Sequence, residues 1–140
     1  MKKILIVEDD YYIGDIYVRS FTHAGYSVDL ATDGNQAIEK TKASTYDMIL
    51  LDIMLPEQNG IEVLRILRSS DSSALYTPVY LITNLGQENI IKEAFKIGAD
   101  GYILKAKLTP KEVVKEVEDF LVKRTRLSTS PSIVETKVLS

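Results

Sequence analysis

The chain has no cysteine, which excludes disulfides, thiolate chemistry and Cys-ligated zinc. Its single histidine, His23, cannot build a His-rich metal site or, unaided, a Ser/His catalytic pair. No apolar run approaches the roughly 20 residues needed to span a bilayer. Neither sign of charge dominates: 17 basic residues stand against 20 acidic ones, a formal net charge of -3. No global field therefore draws the chain to nucleic acid or to an anionic membrane. Met1, Lys2 and Lys3 lead straight into a strand-like run with no small-residue cleavage site, so no signal peptide is read. A cytoplasmic location follows as the expectation, with no membrane partner and no direct nucleic-acid binding.

What is present fits one soluble domain. The 140 residues are 45% hydrophobic and 26% charged, enough to bury a full core. Short apolar runs alternate with helical patterns. Residues 4–7 form a continuous apolar run rich in β-branched side chains, as do residues 48–51, and both read as strands buried on two faces. Residues 27–31 alternate and read as a shorter, more exposed strand. Residues 79–82 and 102–104 complete a set of five. Helical spacing occupies the intervals: residues 11–24 with Ile13, Ile16, Tyr17 and Phe21, then 35–43 with Ala37 and Ile38 inward. A third helix carries Ile61, Val63, Leu64 and Leu67, and residues 87–97 carry Ile90, Ile91, Ala94 and Phe95. Thr109 reads as an N-cap with Pro110 at the first helical position and Glu112 in the capping-box place. That last helix is expected to end near Lys123 with Val113, Val114, Val117, Phe120 and Leu121 inward. Residues 56–60 read as a loop. Residues 125–140 are Ser/Thr-rich without a period and read as a flexible tail or linker remnant.

Alternating strands and helices predict a parallel sheet covered by helices, an α/β fold. In such a sheet the carboxyl ends of the strands share one edge, where ligands bind. Here the first run ends in Glu8, Asp9 and Asp10, the third in Asp52, the fourth in Thr83 and the fifth in Lys105. Acids, a hydroxyl and an amine would meet there. An acid that accepts a phosphoryl group is a nucleophile on phosphorus, and its own charge repels the incoming phosphate. A hard dication such as Mg2+ relieves that repulsion and prefers oxygen ligands. Asp52 suits the nucleophile, Glu8 and Asp9 the anionic cup, and Lys105 and Thr83 the partners of phosphate oxygens. Asp10 reads as the residue that starts the first helix, and His23 as a surface or boundary residue.

The segments ILIVEDD, ILLDIMLPEQNG, LIT and GADGYILKA, in this order and separation, resemble the receiver domain of bacterial response regulators over about residues 2–124. The resemblance implies a flavodoxin-like, doubly wound sheet of five parallel strands in the order 2-1-3-4-5 with five helices. It divides the chain into a receiver at residues 1–124 and the tail at 125–140. It implies Asp52 as phosphoacceptor and a Mg2+ held by Glu8, Asp9, Asp52 and the backbone carbonyl of Met54, with Asp9 the direct ligand and Glu8 often acting through water. Thr83 and Lys105 would contact the phosphoryl group, and Thr83 with Tyr102 would form a switch. The implied partners are a histidine kinase or phosphotransfer protein, and a second copy of the chain on activation. The signalling face would be built by the fourth helix, fifth strand and last helix, with Ile90, Ile91, Lys92 and Tyr102 nearby. The domain would turn over no external metabolite: self-phosphorylation and self-dephosphorylation are its only chemistry.

Two positions depart from that pattern. Ala106 follows Lys105 where the family usually has a proline in a cis bond. A cis bond before a non-proline costs about 2.5–4 kcal/mol, against about 0.5–1 kcal/mol before proline. Either a trans bond with a shifted loop or a cis bond held by tight contacts is therefore expected. Asn84 follows Thr83 where the family prefers a very small residue, and it is expected to alter phosphorylation and dephosphorylation rates. Two other readings compete. A phosphorylation-independent, degenerate receiver would act as a binding module, against which the complete set of Glu8, Asp9, Asp52, Thr83 and Lys105 argues. An aspartyl-phosphate hydrolase would resemble a DxDxT pattern, and residues 52–56 lack its second acid. Nothing after residue 124 is long enough for an output domain, so the chain reads as a stand-alone receiver or one cut from a longer protein.

Overall fold

The computed structural model describes residues 1–55, 59–84 and 88–129, with side chains described as far as residue 125. The five apolar runs form one parallel sheet in the order β2-β1-β3-β4-β5, and every paired neighbour is parallel. Strands β1 (Lys3–Val7) and β3 (Met48–Asp52) take inner places, where both faces need apolar cover. Accordingly residues 4–7 and 48–51 have no solvent exposure. Strand β2 (Ser27–Ala31) lies on the edge and is half-buried over four of its five residues, which is why its sequence alternates. Strands β4 (Val79–Thr83) and β5 (Gly101–Leu104) complete the sheet. The expected α/β, flavodoxin-like order is the one observed.

Polar residues start the helices by accepting from N–H groups that lack intrahelical partners. Asp10 caps α1 (Tyr11–His23), its Oδ1 accepting from the N–H of Tyr12 at 2.9 Å and of Ile13 at 3.1 Å. Asp33 caps α2 (Gly34–Ala43) and Asn59 caps α3 (Gly60–Leu67). Helix α4 spans Glu88–Ile97 and α5 spans Pro110–Thr129. At the start of α5 the Thr109 N–H donates to Glu112 Oε1 at 2.9 Å and the Glu112 N–H to Thr109 Oγ1 at 3.2 Å, the reciprocal capping expected from sequence.

The alternation of strand side chains splits the core into two layers. Leu5, Val7, Ile49, Leu51 and Leu81 face α3 residues Ile61, Val63, Leu64 and Leu67 and α4 residue Ala94. On the other side Ile4, Ile6, Met48, Leu50, Ile82 and Ile103 pack with Tyr17 and Phe21 of α1 and Val113, Val117 and Leu121 of α5.

Two members of the helical patterns lie outside the buried stripes, and two expectations need correction. Ile16 is 39% exposed, because the buried stripe of α1 runs through Gly14, Tyr17 and Phe21 instead. Phe95 of α4 is 43% exposed, since only one face of that helix meets the sheet. Ile91 is buried, so it belongs to the interior and not to the exposed face on which it was expected. Helix α5 runs past Lys123 to Thr129, carried by the helix formers Arg124, Arg126 and Leu127. The loop read at residues 56–60 falls partly, at 56–58, outside the described residues, as do Gln87 and tail residues 130–140.

Candidate functional site

Strand parity decides which side chains meet. Glu8 follows Ile4 and Ile6, Asp52 follows Met48 and Leu50, and Lys105 follows Ile103, so all three point to the α1/α5 side of the sheet. The ladder persists to this edge: the Glu8 N–H donates to the Ala31 carbonyl at 2.9 Å and the Lys105 N–H to the Thr83 carbonyl at 2.8 Å. The Lys105 ammonium lies 2.5 Å from Glu8 Oε1 and 3.1 Å from Asp52 Oδ2. Glu8, Asp52 and Thr83 are all buried, at 2%, 4% and 2% exposure, so the charges act through a medium that screens them less than water.

Both Asp52 oxygens are oriented. Oδ2 accepts from Lys105 and Oδ1 accepts from the Met54 N–H at 3.0 Å. Gly60 fixes the backbone behind them. Its N–H donates to the Ile53 carbonyl at 2.7 Å, and a Cβ at this position would lie 2.5 Å from the Asp52 carbonyl oxygen. Only glycine lets α3 start this close to the strand end.

Glu8, Asp9 and Asp52 each bring a carboxylate oxygen within 4.8 Å of the others. Three carboxylates beside one ammonium are the oxygen donor set that a hard cation such as Mg2+ prefers, so the residues present fit such an ion. Asp9 is exposed and stands at the wall of an open cavity of ≈ 760 Å³ lined also by Met54, Leu55, Ile61 and Ile90. An Arg65–Glu93 ion pair at 2.5 Å joins α3 to α4 beside that cavity. Burial pushes the Glu8 carboxyl up to about 7, and its contact with Asp52 adds to this, against the pull of Lys105. Burial works against the Lys105 ammonium, yet Glu8 and Asp52 outweigh it and hold its pKa above the ordinary lysine value.

The structure thus gathers Glu8, Asp9, Asp52 and Lys105, with Thr83 one residue beyond the Asp52 partner Ile82 on β4. Among the described residues no peptide bond is cis, so Lys105–Ala106 takes the trans alternative and Lys105 still reaches Asp52. Met54 contributes its backbone N–H, while its side chain is exposed. Tyr102 is outside the cluster: it is 46% exposed and packs edge-on against Phe95 at 6.2 Å. Asn84 and His23 are exposed.

A family model described as the response regulator receiver domain matches residues 4–126. The chain belongs to the response regulator receiver family. Transcriptional regulatory protein ResD of Bacillus subtilis (strain 168) is 36% identical over 126 residues, covering 90% of this chain and 50% of that protein. Transcriptional regulatory protein CusR of Escherichia coli (strain K12) is 39% identical over 103 residues, 74% of this chain and 44% of that protein. The receiver chain therefore spans about half the length of these relatives. Among solved structures, chemotaxis protein CheY4 of Vibrio cholerae aligns with a TM-score of 0.79 at 28% identity, covering 85% of this chain and 98% of that one. Receivers of this family serve two-component signal transduction, work through phosphorylation of an aspartate and interact with histidine kinases. No described helix is long and apolar enough to cross a membrane.

Sequence reasoning found the charged members of the site and missed Gly60. The Asn59-Gly60 pair was a usable signal, since Asn caps helices and glycine marks close backbone approach.

Proposed function

We propose that Asp52 accepts a phosphoryl group from the phosphohistidine of a histidine kinase or phosphotransfer protein, and that this switches the domain between two signalling states. One observation carries the reading: a buried carboxylate, Asp52, is held by Lys105 and flanked by the carboxylates of Glu8 and Asp9. In the transfer, a P–O bond forms to Asp52 as the P–N bond of phosphohistidine breaks, and the imidazole keeps the electron pair. Hydrolysis adds water to phosphorus, releases inorganic phosphate and returns the Asp52 carboxylate.

Glu8, Asp9 and Asp52, with the Met54 carbonyl, would hold Mg2+, which when bound offsets the negative charge that carboxylates and phosphoryl oxygens bring together. Both Glu8 oxygens already accept, from Lys105 at 2.5 Å and from the Asp10 N–H at 3.3 Å. That supports Asp9 as the direct ligand and Glu8 as an indirect one. Lys105 turns from Glu8 to a phosphate oxygen, and the Thr83 hydroxyl donates to another. Movement of Thr83 opens space into which Tyr102 turns from its place on Phe95, and the face of α4, β5 and α5 changes shape. Lys92, Phe95 and Tyr102, all exposed, are the readable residues of that face. A second copy of the chain binds there on activation. A cytoplasmic setting agrees with a kinase as donor.

Incubation with Mg2+ and acetyl phosphate, followed by intact-mass measurement, tests the reading. Wild type is expected to gain one phosphate, and Asp52→Asn none. No adduct on wild type, or an equal adduct on the variant, overturns it.

A further inference from the structure

Helix α4 is lightly held. Of its ten residues only Ile91 and Ala94 are buried, whereas the shorter α3 buries five of eight. A helix with so few buried apolar residues shifts at small cost. Two arginines of α3 reach across to it, in different ways. Arg68, the C-cap of α3, is a nearly enclosed clamp, its side chain 12% exposed. Its Nε donates to the Gly98 carbonyl at 3.1 Å, its Nη1 to the carbonyls of Ala74 at 3.0 Å and Leu75 at 3.2 Å, and its Nη2 to Asp100 Oδ2 at 3.1 Å. The same Asp100 oxygen accepts from the Val79 N–H at 2.9 Å. One guanidinium therefore ties the end of α4 to the starts of β4 and β5. Gly98 permits the approach: its φ is +125°, and a Cβ there would lie 3.1 Å from the Arg68 Nε.

One turn earlier on α3, Arg65 makes the second contact, its Nη2 donating to Glu93 Oε1 at 2.5 Å. The two side chains are 57% and 49% exposed, and water and salt screen such a pair, so it contributes little to stability. Helix α4 runs from the carboxyl edge of the sheet back to Gly98, which puts this pair nearer the site than the Arg68 clamp. Arg65 and Glu93 both line the cavity that opens on Asp9, with Ile61 of α3 and Ile90 of α4. The two helices are thus not packed together there. Helix α4 is pinned at its end by the enclosed clamp and tied further up by an exposed ion pair beside unfilled space. A rotation about the Gly98 end would part Arg65 from Glu93 and leave the Arg68 contacts in place. The same helix carries Phe95, the partner of Tyr102 on β5.

We propose that the Arg65–Glu93 pair is a latch that holds α4 in its unphosphorylated position, with the Arg68 clamp as pivot, and that phosphorylation of Asp52 moves α4 and breaks the pair. The proposal rests on the reading of Asp52 as phosphoacceptor. A contact made in only one of two states shifts their populations by its own free energy, which for an exposed ion pair is about two- to fivefold. Glu93→Gln removes the charge and keeps the shape. Expected are a little-changed melting temperature, an affinity for beryllofluoride in Mg2+ raised about two- to fivefold, and Tyr102 ring NMR signals of the metal-free protein displaced toward their beryllofluoride-bound positions. Exchanging the partners, Arg65→Glu with Glu93→Arg, is expected to return affinity and signals close to wild type. A wild-type or lowered affinity in Glu93→Gln overturns the proposal, as does an exchanged pair that keeps the gain of the single variant. Should wild type bind no beryllofluoride, the Asp52 reading falls, and the Tyr102 signals of the metal-free protein still decide. Displaced in Glu93→Gln and restored in the exchanged pair, they uphold the latch; unmoved, they overturn it.

Discussion

Glu8 and Asp52 are buried together, and one ammonium faces both. Desolvation outweighs that single cation at Glu8 and raises its pKa from 4.5 to about 7. The sign of the consequence is fixed by proton count. Between these two values the folded chain holds a proton that the unfolded chain has lost, so stability contributed by this group falls as pH rises and is gone above about 7. Thermal unfolding of the metal-free protein is therefore expected to show declining stability from about pH 5 to about pH 8, and Glu8→Gln to flatten that decline. A variant with the same slope as wild type contradicts the assignment. At Asn84, exposed beside Thr83, replacement by alanine widens access to the pocket. Both gain of phosphate from acetyl phosphate and its loss by hydrolysis are expected to rise severalfold, and two unchanged rates remove the idea. The acids and Lys105 were legible in the sequence because strand ends announce them.

At the scale of elements, the start of α3 holds the tightest contact near the site. Alanine at Gly60 would put a Cβ 2.5 Å from the Asp52 carbonyl oxygen and 2.7 Å from the Ile53 Cα. Backbone must then move, at a cost of about 1–3 kcal/mol, and Asp52 moves with it. Gly60→Ala is expected to lower both denaturant midpoint and phosphorylation rate. Retention of both would show that the loop gives way without consequence. The inner strands were readable because continuous apolar runs have one use, burial on both faces. Helix α4 was less so: Ile90, Ile91, Ala94 and Phe95 cover more of its circumference than one face, and only packing against the sheet selects Ile91 and Ala94 for burial. The end of α5 was misplaced because the Ser- and Thr-rich composition after Lys123 reads as tail, although Arg124, Arg126 and Leu127 are good helix formers that extend it to Thr129. Near the fifth strand, the non-proline Ala106 leaves a trans bond, and Lys105 reaches its acids through the ladder contact to Thr83.

For the whole molecule, strand order followed from the family resemblance and not from periodicity, which gives strands without their neighbours. The chain spans about half of ResD and CusR, and its exposed Phe95–Tyr102 pair lies on the proposed signalling face. Size-exclusion chromatography with Mg2+ and beryllofluoride is expected to shift wild type toward a dimer, while Asp52→Asn stays unshifted. A shift in both proteins would detach association from phosphorylation. Where the phosphoryl group goes is the central claim. Borohydride reduction of the phosphorylated protein, followed by peptide sequencing in a mass spectrometer, converts an aspartyl phosphate to homoserine and marks its position. Homoserine at residue 52 alone is the predicted result; its absence there, or homoserine at residue 9 in its place, would contradict the account.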